Sequence, residues 1–246
     1  MLSVLPLILG SVGAAGLTGI YYATYGVRSQ WLGRTVWCGR SDAAAVAITF
    51  DDGPSEATAA VLDTLAEHGV KAAFFVIGQQ VEKHPHLARR IVNEGHELGN
   101  HSYSHPIYLY KSSREIKLQL ERTQKIIFDT TGVRPRISRP PCGVRTVGYF
   151  RAAQELDLQT INWSVAGIDW KTRSPQAIAE RVLQRSQPGS IILLHDGDSQ
   201  GRASRQATVD SLPLIFNGLR FRKLSVKPLR SLCGIGSLFE ENRCRA

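Results

Sequence analysis

The chain has 246 residues, 43% apolar and 21% charged, with 22 glycines, 11 prolines, 4 cysteines and a formal charge of +9. That is an ordinary globular mixture, and it excludes a collagen, a long coiled coil or wholesale disorder. With an apolar N-terminal stretch set aside, about 220 residues remain, enough for a single α/β barrel or sandwich around one core.

Residues 1–27 carry no Asp, Glu, Lys or Arg, and the run from Val4 to Tyr25 is long enough to cross a bilayer as a helix. A single transmembrane anchor is therefore expected over residues 1–27. Removal as a signal peptide ranks second, because a basic start and a small-x-small cleavage site are both missing. Arg28, Arg34 and Arg40 follow the run, and the positive-inside rule then favours a cytoplasmic face for the main domain, with the extracytoplasmic face as the alternative. Residues 28–42 read as a linker, 43–230 as one folded domain and 231–246 as a tail.

From residue 43, short β-rich runs alternate with helical stretches. A strand is predicted over Ala45–Phe50. It runs into Thr49-Phe50-Asp51-Asp52-Gly53-Pro54, two adjacent carboxylates where a buried strand stops and a Gly-Pro turn begins. A helix over Glu56–Glu67, stopped at Gly69, leads to a strand over Ala72–Ile77 and a helix over Val81–Glu94 that ends at Gly95. The third strand, Glu97–Gly99, is followed by His101 and His105. If that segment makes one helical turn, the two imidazoles share a face, and with Asp51 or Asp52 they form a His2Asp set with an open position, the kind used by hydrolytic zinc sites.

A helix over Arg114–Thr130, ending at Gly132, precedes a strand over Ile137–Arg139. A helix over Thr146–Leu156 and a strand over Gln159–Trp163 come next. After the turn at Asp169-Trp170, Ser174-Pro175 opens a helix over Pro175–Arg185. A strand over Ser190–Leu194 ends at His195, a helix spans Gln206–Leu219 with Gly218 as its stop, and a last strand covers Arg222–Val226.

Seven strands reached through crossover helices imply a mostly parallel sheet, either doubly wound or closed into a barrel. The carboxyl ends of such strands form one face, so Asp51, Asp52, His101, Arg139, Asp169 and His195 are expected along one rim. The last 47 residues hold nine basic and three acidic side chains. Arg220, Arg222, Lys223, Lys227 and Arg230 alternate there with apolar residues, but no nucleic-acid module accompanies them, and neither nucleic acid nor a protein partner is expected. Cys38, Cys142, Cys233 and Cys244 lack CxxC spacing and read as reduced, with Cys233–Cys244 a bridge only if the domain is exported.

Five segments resemble, in order, the motifs of the polysaccharide deacetylases of the NodB-homology group, carbohydrate esterase family four. They are Thr49 to Pro54 (TFDDGP), His101 to His105 (HSxxH), Arg139 to Gly143 (RxPYG), Asp169-Trp170 (DW) and Leu193 to His195 (LxH). The resemblance covers about Ala45 to Leu229. It implies a distorted (β/α)7 barrel and a metal-dependent hydrolase that removes N-acetyl groups from N-acetylhexosamine units of peptidoglycan, a chitin-like oligomer or a lipid-linked glycan. It also implies that Asp52, His101 and His105 hold a divalent metal, zinc first among the choices, and that Asp51 is the general base oriented by Arg139. His195 is then the general acid, Asp169 of the DW motif counts among the catalytic residues, and Cys142, Trp170 and Leu193 lie on the substrate with the Cys142 amide facing the oxyanion.

Two departures stand out. Cys142 occupies the motif's tyrosine position, which keeps the backbone donor and removes an aromatic wall. Many members read DxxDW, with the first Asp holding the acid histidine protonated, whereas this chain has Ala166 there. Unless Asp169 or Asp196 substitutes, His195 is expected to hold its proton less firmly and deacetylation to slow near neutral pH. The alternative function is then a catalytically weak carbohydrate-binding protein that retains the metal site.

Overall fold

The computed structural model of the chain describes residues 16–235. Residues 16–25 form helix α1, and an alternating α/β unit follows: β1 (Ala45–Asp51), α2 (Glu56–Glu67), β2 (Ala73–Val76), α3 (Gly78–Lys83), α4 (Pro85–Asn93), β3 (Glu97–Asn100), α5 (Ser113–Thr131), β4 (Ile137–Ser138) and α6 (Val147–Glu155). It continues through β5 (Gln159–Thr160), β6 (Val165–Ala166), α7 (Pro175–Arg185), β7 (Ile191–His195), α8 (Gln206–Phe221), β8 (Ser225–Val226) and α9 (Leu229–Cys233). The strands lie side by side in the order β5-β4-β3-β2-β1-β7-β6, with β8 also on β1, and every strand pair is parallel. The sheet curls into a half-barrel that stays open between β5 and β6.

Alternation along β1 builds two cores at once. Val46, Ile48 and Phe50 point outward onto Leu62, Leu65, Leu212 and Ile215 of α2 and α8, while Ala45 and Ala47 point inward toward Phe75, Ile137, Ile161 and Ile191. The same period sends Thr49 and Asp51 to the interior, where no further apolar residue is needed once polar partners are present. Each buried large apolar side chain contributes about 1.5–3 kcal/mol through removal from water.

Several predicted elements shift for local reasons. The strand expected over Gln159–Trp163 shortens to β5 on β4, and an unpredicted β6 beyond it pairs with β7 at the opposite edge of the sheet, because the barrel's opening falls between them. Pro85 splits the helix expected over Val81–Glu94: it lacks an amide hydrogen and starts a new helix at its own first position. Gly218 does not stop its helix. It lies inside α8, where a Cβ would collide with Leu183 of α7, so glycine serves close helix packing there.

Residues 28–42 are not a free linker. Val36 bridges to Ile161 and Cys38 to Ser190, while Val36 N–H donates to Thr160 O (2.9 Å) and Asn162 N–H to Val36 O (2.7 Å). Arg145, almost fully buried, gathers the preceding turn: its Nη1 donates to Ser29 O (3.0 Å), its Nη2 to Gly26 O, and its backbone N–H to Thr24 O (3.2 Å). The segment closes the open side of the barrel because the unpaired edges there need hydrogen-bond partners.

The predicted membrane span falls mainly on residues 1–15, outside the described residues. No helix among the described residues is long and apolar enough to cross a membrane. Cys38, Cys142 and Cys233 are free thiols, and Cys244 lies outside the described residues.

Arg145→Met leaves the Gly26 and Ser29 carbonyls without their charged donor. The expected result is a loss of about 3 kcal/mol in unfolding free energy and faster amide exchange confined to residues 24–36, read by thermal melting and hydrogen exchange.

Candidate active site

Strand register brings the polar residues together. In the β1–β7 ladder Asp51 stands beside His195, and in the β3–β4 ladder Asn100 stands beside Ser138, which places His101 and Arg139 one step beyond at the same end of the sheet. Arg139 is fully buried in the barrel mouth and uses its whole guanidinium on protein oxygens. Nη1 donates to Asp51 Oδ1 (2.6 Å) and Thr49 Oγ1 (2.9 Å), Nε to Ile161 O (3.2 Å) and Nη2 to Asn162 O (3.0 Å). The guanidinium lies 4.0 Å above the Phe75 ring. Burial pulls its proton affinity down and Asp51 pulls it back up, for a net fall from a value so high that it stays a cation.

Asp52 adopts a left-handed backbone (φ 73°), and its side chain departs from that of Asp51 toward the histidines. Asp52 Oδ1 lies 3.4 Å from His101 Nε2 and 3.3 Å from His105 Nε2, and the three ligand atoms all fall within 4.8 Å of one another. Asp52 Oδ1 is buried yet accepts no hydrogen bond. His101 Nδ1 sits 2.7 Å from the Arg139 carbonyl, which can only accept, so Nδ1 carries the hydrogen and Nε2 of the neutral ring offers its lone pair. A buried acceptor without a donor beside two imidazoles fits a divalent cation such as zinc, which takes oxygen and nitrogen ligands together.

Without a cation, the cluster's own charges govern its protons. Burial opposes a charge on His101, but Asp51 and Asp52 outweigh it and hold its pKa above the usual value. Burial and the neighbouring His101 push His105 down to about 4. Burial raises Asp52 and the histidine charges reverse that, leaving its carboxyl well below the carboxylate range.

The two histidines do not lie on a helical turn. His101 to His105 is a compact loop in which Ser102 (φ 70°) and His105 (φ 57°) are left-handed, a conformation that costs an L-residue about 1–2 kcal/mol. Hydrogen bonds offset the cost. Asn100 Oδ1 accepts from Ser102 N–H (3.0 Å), Ser102 Oγ from His105 N–H (2.9 Å), and Gln119 Oε1 of α5 from the Tyr103 (3.0 Å) and Ser104 (2.9 Å) amides. Sequence reading passed over Asn100 and Gln119, since a polar residue on an amphipathic helix reads as solvent-facing.

Asp169 occupies the place that Ala166 leaves open. Its Oδ1 lies 2.9 Å from His195 Nδ1, while Oδ2 accepts from the His195 amide (2.7 Å) and Thr208 Oγ1 (2.9 Å). Burial lowers the His195 pKa, but the hydrogen bond and charge of Asp169 outweigh burial, so His195 holds its proton more firmly than a free imidazole. The weakened acid expected from Ala166 is corrected by this contact. Asp196 takes no part, because its carboxylate accepts from Thr58 Oγ1 (2.6 Å) at the start of α2 and burial pushes it up to about 7.

These groups open into a cavity of about 330 Å3 that Cys142, Trp163, Trp170, Leu193 and Arg205 also line. Cys142 is exposed and left-handed (φ 55°), and its amide is absent from the hydrogen bonds of its turn. A Cβ on Gly143 would approach Trp163 to 2.8 Å, so the loop and the indole pack closely. Trp170 meets His195 edge-on at 5.1 Å. Trp163 and Arg205 were not singled out in the sequence, because neither belongs to a motif. A larger cavity, about 680 Å3, lies between residues 32–36, α6 and the end of α9, but no carboxylate and imidazole converge there.

The sequence model of the family described as polysaccharide deacetylase matches residues 39–161. The peptidoglycan-N-acetylglucosamine deacetylase PgdA of Listeria monocytogenes is 42% identical over 168 residues, which cover 68% of this chain and 35% of that one. The chain thus spans about a third of that relative's length. A chitooligosaccharide deacetylase of Sinorhizobium fredii is 36% identical over 80% of this chain and 95% of its own. Among solved structures, the Bc1960 peptidoglycan N-acetylglucosamine deacetylase superposes with a TM-score of 0.76 at 37% identity, covering 81% of this chain and 92% of that one.

Two outcomes test this geometry. Gln119→Ala, which suits a helix, should release the His101–His105 loop and weaken zinc binding to the metal-stripped protein about tenfold in chelator competition. In an NMR titration of the stripped protein, the His195 pKa should lie above the ordinary imidazole value. Asp169→Asn removes the contact that overcomes burial and should move it below that value.

Proposed function

Because the chain belongs to the polysaccharide deacetylase family, we propose that it is a metal-dependent hydrolase that removes N-acetyl groups from N-acetylhexosamine units of a glycan and releases acetate. The observation that carries this reading is the sharing of one cavity by three separate functions: a carboxylate tied to a buried arginine, a His2Asp cluster with an orphaned oxygen, and a histidine held protonated by Asp169. A binding site alone has no use for both a proton acceptor and a proton donor.

An acetamide is a poor electrophile and water a poor nucleophile. When bound by Asp52, His101 and His105, a divalent cation supplies Lewis acidity toward the amide oxygen and acidifies water. Asp51 removes the proton from the attacking water with Oδ2, since Oδ1 is committed to Arg139. As the carbonyl carbon becomes tetrahedral, the Cys142 N–H donates to the oxygen on which charge accumulates. His195 then gives its Nε2 proton to the departing sugar nitrogen, Nδ1 being engaged with Asp169. The C–N bond breaks into acetate and a free amine. Trp170 and Leu193 form the walls against which the acetyl group rests, and Cys142, in place of the motif's tyrosine, leaves the entrance wider.

The activities of the relatives make peptidoglycan strands the first substrate to test and N-acetylglucosamine oligomers the second. Acetate release should vanish on chelation and return with zinc. Asp51→Asn should lower kcat by about 10³-fold and His195→Ala by about 10²-fold, measured as acetate formed by the full chain. Release that survives Asp51→Asn would overturn the base assignment, and zinc binding without release from either substrate would move the reading to a carbohydrate-binding protein.

A further inference from the structure

Arg205 is the one residue of the cavity wall whose charge the proposed chemistry does not use. It stands immediately before α8 and is only 7% exposed, and its Nε donates to Gly197 O at 2.6 Å. Arg139 spends Nε, Nη1 and Nη2 on protein oxygens. Arg205 has no protein acceptor at either terminal nitrogen among the described residues. Neither of those nitrogens is sealed from solvent as an orphan, in contrast to Arg145 Nε.

The nearest anionic candidate in its loop is already occupied. Asp198 accepts from the amides of Gln200 (2.7 Å), Arg202 (2.7 Å) and Ala203, and it feels the charge of Arg205 without making a direct ion pair with it. The guanidinium therefore presents up to four N–H donors and a full positive charge to the cavity, held in place by its Nε bond. Desolvating such a group without a partner is costly, so a site that keeps it has an anion to meet there. A neutral N-acetylhexosamine offers this cation hydroxyl and carbonyl oxygens but no counter-charge.

We propose that Arg205 binds a carboxylate carried by the acetylated sugar or by the sugar next to it, so that the cavity selects acidic amino-sugar glycans over neutral ones. The planar fork of this arginine matches a carboxylate, which carries a single charge and accepts two parallel N–H bonds. This specificity rests on the deacetylase reading for its biological setting, whereas sugar binding at Arg205 is measured independently of turnover.

The test compares N-acetylmuramic acid, which bears a carboxylate on an N-acetylhexosamine, with N-acetylglucosamine, which does not. Binding to the full chain is followed by tryptophan fluorescence, to which Trp163 and Trp170 of the cavity contribute, and acetate release is followed on peptide-free strands that contain muramic acid with its carboxylate unsubstituted and on N-acetylglucosamine oligomers. The wild-type chain should bind the acidic sugar more tightly. Arg205→Gln should cut that preference about 10- to 100-fold, and Arg205→Lys, which keeps the charge, should restore part of it. Melting curves of both variants exclude global unfolding as the cause. Equal affinity of the wild type for the two sugars, or an equal loss for both sugars in Arg205→Gln, would overturn the proposal. A preference in binding that depends on Arg205 without acetate release would leave the assignment standing and sink the deacetylase reading. Release without any such preference would do the reverse.

Discussion

The ion pair between Arg139 and Asp51 is the contact on which the rest of the site depends. Both partners are almost fully removed from water, and the desolvation of two charges costs several kcal/mol that a single contact does not return. The structure offsets it with Thr49 of β1, Ile161 and Asn162 of the β5–β6 connection, and the ring of Phe75 on β2. The arginine thereby ties β1, β2, β4 and the β5–β6 connection into one frame, and the same residue's carbonyl sets the tautomer of His101. Asp51, His101 and the barrel are fixed by one side chain and its own backbone, so none of them can move alone.

Around that frame the cavity sorts protons by neighbour rather than by residue type. His101 and His195 are both pulled toward protonation by carboxylates, while His105, a few ångströms away, is pushed toward the neutral form by burial and by His101. Asp196, next in sequence to His195, turns to the start of α2 and stays outside the exchange. Imidazoles with the same intrinsic basicity thus differ in how firmly they hold a proton before any cation binds, according to the charges and burial around each.

The residues at strand ends were the legible part of the chain. Asp51, Asp52, His101, Arg139, Asp169 and His195 were placed on one rim from strand count and parallel connection alone, because in this architecture position along a strand decides which face a residue reaches. Helix α7 carries a local start signal, Ser174-Pro175, and begins where that signal stands. What sequence could not convey was nonlocal. β6 has only two residues and exists because β7 offers an edge. The loop of His101 to His105 bends left-handed because Gln119, fourteen residues beyond His105, accepts its amides. Ala166 read as a missing carboxylate because spacing along the chain conceals how near Asp169 comes to His195 in space.

The strap of residues 24–36 has a mechanical meaning as well. Arg145, which holds it, follows Cys142 by three residues and Gly143 by two, and the carbonyls it grips lie just after helix α1. Force applied at the front of the molecule is thus borne not by a slack tether but by the turn that forms one wall of the cavity. Tension at that end and the shape of the cavity entrance are two ends of the same lever.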